Sequence, residues 1–304
     1  MEEITIVTAF FNIGREKWKD FNRDDNDYIR YFRFWARIQN RLIVYTESAM
    51  KDIVLQIRAE YGLADRTEVI VLDDIQSLDI EVFDAMQQAL SRPEAVNYRV
   101  EPNHPEAYNA KYNYVMYLKP LIISDAIQRK MADGMIAWLD FGFNHGGEYY
   151  NQSMDFDFLW KANLTDKIHF FAMHPLDERP VFDIIRSLDT YIAGAIMIAP
   201  ANLWPVLLEL YRGAAMSLAD CGFSDDDQTL AVMAYRKKSE IFAVHEVTGF
   251  FDGMELTTDH VFHKQAEKTH KLSKQKAKAA WEKGSFKEAL QNYSQYISQK
   301  LHGD

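Results

Sequence analysis

Short apolar runs rich in β-branched and aromatic residues alternate with longer amphipathic stretches along most of this chain. Residues 4–11 (ITIVTAFF) read as a buried first strand, and 28–39 (YIRYFRFWARIQ) carry helical spacing. Residues 41–46 (RLIVYT) form a second strand, 50–61 a helix that ends at Gly62, and 68–72 (EVIVL) a third strand. Continuous apolar strands separated by helices predict a parallel sheet covered on both faces. Pro93, Pro102 and Pro105 mark 92–108 as a loop, and 108–131 returns to a helix that Pro120 kinks or restarts. Further strands follow at 135–139 (MIAWL), 168–173 (IHFFAM), 191–199 (YIAGAIMIA) and 240–245 (EIFAVH). Helices start near Pro205 and after Ser224, where Ser224 can serve as the cap. The expected fold class is α/β, a mostly parallel central sheet flanked by helices.

Near Lys264 the pattern changes. Residues 268–280 are rich in Lys and Ala, and 277–297 (AKAAWEKGSFKEALQNYSQYI) resemble one tetratricopeptide unit, with Gly284 opening a turn and Ala289 allowing close helix approach. A solenoid needs about three repeats, so the expectation is one main α/β domain over 1–264 and a Lys-rich helical hairpin over 265–304.

Composition narrows the function classes. The 304 residues are 48% hydrophobic and 26% charged, ordinary for a globular protein. No apolar run approaches the roughly 18–20 residues of a membrane span. The acidic start Met1-Glu2-Glu3 is unlike a secretory signal, and the lone Cys221 has no intrachain partner, so the expected location is cytoplasmic. The net charge is −11, which argues against nucleic acid as a partner. Charge is unevenly placed: beyond residue 263, nine lysines face Glu267, Glu282, Glu288 and Asp304, a net of +5 that leaves −16 on the first 263 residues. Such a tail suits peripheral contact with an anionic membrane or packing on a partner protein.

Three short motifs carry candidate chemistry. In Ala137-Trp138-Leu139-Asp140-Phe141-Gly142 an apolar strand ends in one carboxylate followed by glycine. Ligands in open α/β sheets bind beyond the carboxyl ends of strands, where such a carboxylate can hold a cation or a sugar hydroxyl; a turn Asp is the plain alternative. Gly194 lies inside an apolar run, which marks close approach of a ligand, backbone or helix. Ser224-Asp225-Asp226-Asp227-Gln228 precedes a helix, and three acids in a row exceed what a helix start needs. Phosphate-loop, serine-elbow, H-E-x-x-H and C-x-x-C motifs do not occur.

In this order, the three motifs resemble the GT-A-fold glycosyltransferases, which transfer sugars from nucleotide donors. There a strand ends in Asp-x-Asp, a later strand carries Asn-x-Gly, and an Asp-Gln pair opens a helix; Asp140, Gly194 and Asp227-Gln228 take those places here. The opening ITIVTAFFNIGR and the WLDFG stretch also resemble the bacterial HtrL-like family, read as glycosyltransferases, across about residues 4–264. The resemblance implies transfer of a hexose from a nucleotide sugar, usually UDP-linked, to a bacterial surface glycan such as lipopolysaccharide or to a lipid-linked acceptor. It implies Thr8, Ala9 and Gly194 at the nucleotide, with Arg15 and Lys119, and less so Lys111, at the diphosphate. Asp226 or Asp227 would be the base that deprotonates the acceptor, or would orient the sugars. It further implies a divalent cation, Mn or Mg, but Gly142 replaces the second Asp. A metal would need Asp140 together with Asn144, His145 or a late histidine, foremost His260 and His263, then His245. A degenerate scaffold and a metal-dependent nucleotidyl or phosphoryl transferase are the competing functions.

Overall fold

The computed structural model describes residues 1–265, 273, 276, 277, 280, 281 and 284–302. The chain forms two compact units, Met1–Phe262 and His263–Asp304.

In the first unit, the strands are β1 (Glu2–Glu3), β2 (Thr5–Phe10), β3 (Leu42–Thr46), β4 (Thr67–Val71), β5 (Met135–Leu139), β6 (Lys161–Ala162), β7 (Ile168–Ala172), β8 (Ile196–Pro200) and β9 (Phe242–Glu246). Seven of them build one sheet in the order β4-β3-β2-β5-β8-β7-β9; β1 and β6 pair separately. Every neighbouring pair in the large sheet is parallel except those made by β8, which runs against β5 and β7. The mostly parallel α/β sheet expected from the sequence is therefore the one found.

Helices cover both faces. They are α1 (Asp25–Trp35), α2 (Ser48–Glu60), α3 (Ile80–Leu90), α4 (Pro93–Asn97), α5 (Pro105–Tyr108), α6 (Ala110–Tyr117), α7 (Lys119–Gln128), α8 (Val181–Ser187), α9 (Trp204–Asp220) and α10 (Asp227–Lys237). Phe32 and Trp35 of α1 and Val54 and Ile57 of α2 pack on Ile6, Leu42, Ala137 and Leu139. Tyr114, Ile122, Leu207 and Leu230 of the other helices pack on Val7, Ile43, Ile136 and Trp138. Strand β5 shows the alternation directly: Ile136 and Trp138 face one core, Ala137 and Leu139 the other.

Three expectations change in detail. The 92–108 loop contains α4 and α5, and each starts on a proline, because Pro lacks only an N–H that a first helical turn leaves unused. The 108–131 helix is two helices, and Pro120 sits in the first turn of α7 for the same reason. The run 191–199 enters β8 only at Ile196; Ala193 N donates to Phe171 O and Ile192 makes an isolated bridge to Ala172.

In the second unit Gly284 adopts φ +75° ahead of α11 (Phe286–His302). Lys268, Lys271, Lys274 and Lys278, on which the basic-tail reading rests, lie outside the described residues. Among the described residues, no helix is long and apolar enough to cross a membrane.

Candidate active site

The period of β5 decides where its terminal carboxylate goes. Ile136, Trp138 and Asp140 share a face, and that face is covered by α7. Because β8 is antiparallel to β5, its entry lies at the same end of the sheet: Leu139 pairs with Ile196, and Asp140 N donates to Ala195 O at 3.0 Å. Gly194 thus stands beside Asp140. The first turn of α10 completes the arrangement with Asp227.

Lys119, the first residue of α7, joins the three. Its buried Nζ donates to Asp227 Oδ2 at 2.8 Å and Gly194 O at 2.9 Å, and lies 3.1 Å from Asp140 Oδ1. Asp140 Oδ1 also accepts Trp138 Nε1 at 2.6 Å. Burial alone would lower the pKa of the lysine, but Asp140 and Asp227 outweigh it and hold the ammonium above its ordinary value. Gly194 is required by this packing: a Cβ there would lie 2.2 Å from Asp227 Oδ2. Of the approaches a strand glycine can signal, the one observed is that of a helix-start side chain.

A second acidic group lies alongside. Carboxylate oxygens of Glu106, Asp225 and Asp226 lie within 4.8 Å of one another. Asp225 is committed inward, accepting Arg99 Nη1 at 3.1 Å and Thr229 Oγ1 at 2.8 Å. Asp226 caps α10 by accepting Gln228 N at 2.9 Å, and Gln228 Nε2 donates to its other oxygen at 3.0 Å. Ser224 is not the cap; its hydroxyl accepts Asn113 Nδ2 at 3.1 Å. Burial raises the Glu106 carboxyl to about 8, with Asp225 adding to the effect and Arg99 opposing it. Burial, then Glu106 and Asp227, push Asp226 well above the carboxylate range.

Glu106, Lys119, Asp140, Gly194, Asp226 and Asp227 line one cleft of about 290 Å³ at the carboxyl end of the sheet, while Asp225 and Arg99 are buried and do not border it. Ala9, Arg15, Lys119, Asp140, Gly194, Asp226 and Asp227, all anticipated from the sequence, border it. Arg15 is held by Tyr28 Oη at 2.7 Å and Phe21 O at 2.9 Å. Thr8 does not border the cleft; it is fully buried on the side of β2 opposite Ala9. Nor does Lys111.

Sequence reasoning missed Glu106, Arg23 and Arg99. His145, read only as one metal option, borders the cleft through an unusual turn. Asn144 and His145 have φ +61° and +45°, and Gly146 and Gly147 continue at positive φ. Asn144 holds the turn, since its buried Oδ1 accepts Tyr149 N and Tyr150 N at 3.0 and 2.7 Å. His145 Nε2 lies 3.3 Å from Arg23 Nη1, and burial, then Arg23, keep its pKa below the usual histidine value.

The donors implied for a metal do not converge. The His260 ring stacks on Phe158 at 4.2 Å and is absent from the cleft. His263 belongs to the second unit. His245 Nε2 meets His169 Nδ1 at 2.8 Å, on β9 and β7. At Asp140 the neighbouring carboxylate is Asp227, and an ammonium already lies between them. A strand-end divalent cation does not fit this donor set.

The family described as bacterial protein of unknown function (HtrL_YibB) matches residues 2–258, and the chain belongs to it. It is 27% identical over 253 residues to Protein HtrL of Escherichia coli (strain K12), covering 78% of this chain and 86% of that protein. Two solved structures are similar. Mouse xyloside xylosyltransferase 1, apo form, gives a TM-score of 0.42 at 16% identity, over 80% of this chain and 85% of that one. The PaToxG glycosyltransferase gives 0.36 at 10%, over 79% and 73%.

Proposed function

We propose that this cleft transfers a hexose from a nucleotide sugar, UDP-linked, to a hydroxyl of a bacterial surface glycan or lipid-linked acceptor. The observation that carries the reading is the meeting of a strand-end carboxylate, a glycine at the entry to β8 and a helix-start acid pair in one cleft at the carboxyl edge of the sheet. The donor diphosphate lies toward Arg15 and Arg23, the cleft-lining cations whose guanidinium groups suit phosphate oxygens. Asp226 accepts the proton of the acceptor hydroxyl. That oxygen bonds to the sugar C1 as the bond from C1 to the phosphate oxygen breaks, and the nucleoside diphosphate leaves with the electron pair. Glu106 hydrogen-bonds Asp226 and burial raises both carboxyls, so Asp226 acts as the base in the state in which the pair holds one proton, on Glu106. Asp227, tied to Lys119, has a positioning role. The basic tail adds electrostatic attraction to anionic lipid bearing the acceptor.

Thermal-shift measurement across UDP, other nucleoside diphosphates and UDP-hexoses tests the reading. A ligand that binds only the folded protein raises its melting temperature by mass action, so UDP and one or more UDP-hexoses are expected to do so, and Arg23→Ala to weaken the shift. Absence of any shift at about 100 times a typical donor dissociation constant removes the nucleotide-sugar assignment.

A further inference from the structure

We infer that the Lys119 ammonium stands in the position of a divalent cation between Asp140 and Asp227, so that the cleft binds a nucleoside diphosphate without metal, its phosphates facing Arg15, Arg23 and His145. The inference rests on the nucleotide-sugar reading for its ligand, and on the geometry alone for its cation.

An ammonium has three N–H donors. Those of Lys119 have three acceptors, Asp227 Oδ2 at 2.8 Å, Gly194 O at 2.9 Å and Asp140 Oδ1 at 3.1 Å, from three separate elements. The lysine is 1% exposed, and admitting an ion in its place would break all three of these contacts at once. Mg²⁺ and Mn²⁺ need about six donors at close to 2.1 Å. With Oδ1 of Asp140 taken by both Trp138 and Lys119, only its Oδ2 remains without a hydrogen bond among the described residues. Asp227 adds at most its Oδ1, since Lys119 holds its Oδ2, and two oxygens fall far short of such a shell. Gly142, which replaces a second acid, has no side chain to add.

The same geometry reassigns the lysine. With every N–H engaged, Lys119 contacts no phosphate directly; it offsets the charge of Asp140 and Asp227 so that an anion can approach. The phosphate contacts fall to the side chains at the cleft surface. Arg15 is aimed by Tyr28 and by the Phe21 carbonyl, and Arg23 lies against His145, which the left-handed turn at 144–147 turns toward the cleft.

The experiment uses the full chain. UDP is titrated calorimetrically in chelator and again in Mn²⁺, and free Mn²⁺ is followed by electron paramagnetic resonance without nucleotide. The expected results are UDP dissociation constants within about twofold of each other and no Mn²⁺ uptake by the wild type at Asp140. Lys119→Met, checked for folding by circular dichroism, should take up Mn²⁺ between the freed carboxylates, and adding Asp140→Asn should abolish that uptake. UDP binding at least about tenfold tighter in Mn²⁺ overturns the inference. So does wild-type Mn²⁺ uptake that Asp140→Asn removes, or a folded Lys119→Met that takes up none. If UDP binds in neither condition, the nucleotide reading fails, while the Mn²⁺ arms still decide what occupies the space between Asp140 and Asp227.

Discussion

Gly194 and Asp227 fit together because one of them has no side chain: a Cβ on Gly194 would lie 2.2 Å from Asp227 Oδ2 and 2.9 Å from its Cγ. The carboxylate is not free to yield, since Lys119 holds the same oxygen at 2.8 Å. Gly194→Ala therefore forces α10 or β8 to shift. The expected cost is about 1–3 kcal/mol, the range for overpacking a buried site, read as a lower urea midpoint with an unchanged slope. Full stability in this variant would mean that the contact has slack the distances do not show.

Asp226 and Asp227 are adjacent in sequence but differ in role. Asp226→Asn keeps the cap of α10, because Asn caps a helix as well as Asp. It removes the proposed base, so turnover should fall about 10²–10⁴-fold with UDP affinity unchanged. Asp227→Asn removes the charge opposite a buried ammonium and should cost stability, about 3 kcal/mol by analogy with broken buried pairs. Steady-state kinetics and chemical denaturation on both variants separate the roles. Turnover that survives Asp226→Asn excludes this residue as the base.

Arg99 is the buried counter-ion of the acid run. It bonds Asp225 and Ile185 O, both at 3.1 Å, and donates to Ser224 O, tying the segment after α4 to the approach of α10. Arg99→Met strands Asp225 in the interior, and the expected loss is about 3–5 kcal/mol. Adding Asp225→Asn should recover part of it, because the buried charge is then gone. Equal denaturation midpoints for the single and double variants would show that the pair carries no coupling.

The strands were legible because a strand buried on both faces is a continuous apolar run, as MIAWL is for β5. The entry to β8 was not, since 191–195 is as apolar as the strand it precedes and only its pairing distinguishes it. Asp140, Gly194 and Asp227 were legible as punctuation: a charge after a strand, a glycine within an apolar run, and an excess of acid at a helix start. Lys119 was visible as a charge near Pro120, but nothing in its local sequence shows that it is buried. Glu106 and Arg99 lie in a proline-rich stretch that resembles a loop, and both gain their roles from α10 more than a hundred residues further on. Thr8 and Ala9 are neighbours that the pleat turns to opposite faces, and the choice between them needed the position of the cleft.

Glu106 gives the protein a specific pH dependence. Its carboxyl is raised from 4.5 to about 8, so between those values the folded chain holds more proton there than the unfolded chain. Its stabilising contribution is complete below 4.5 and is lost as pH rises through about 8; Asp226, raised by burial and by Glu106, acts in the same direction. His104, His145, His169 and His245 are all lowered from 6.5. Their contributions run the other way, rising with pH and complete once pH exceeds 6.5. The window from about pH 7 to 8 therefore isolates the acids, with a slope of up to about 1.4 kcal/mol per pH unit for each proton involved. Urea denaturation of the wild type across that window should show stability falling, and Glu106→Gln, which cannot ionise, should flatten the curve. A variant that keeps the wild-type slope would place the titrating group elsewhere and remove Glu106 from the proton-sharing pair.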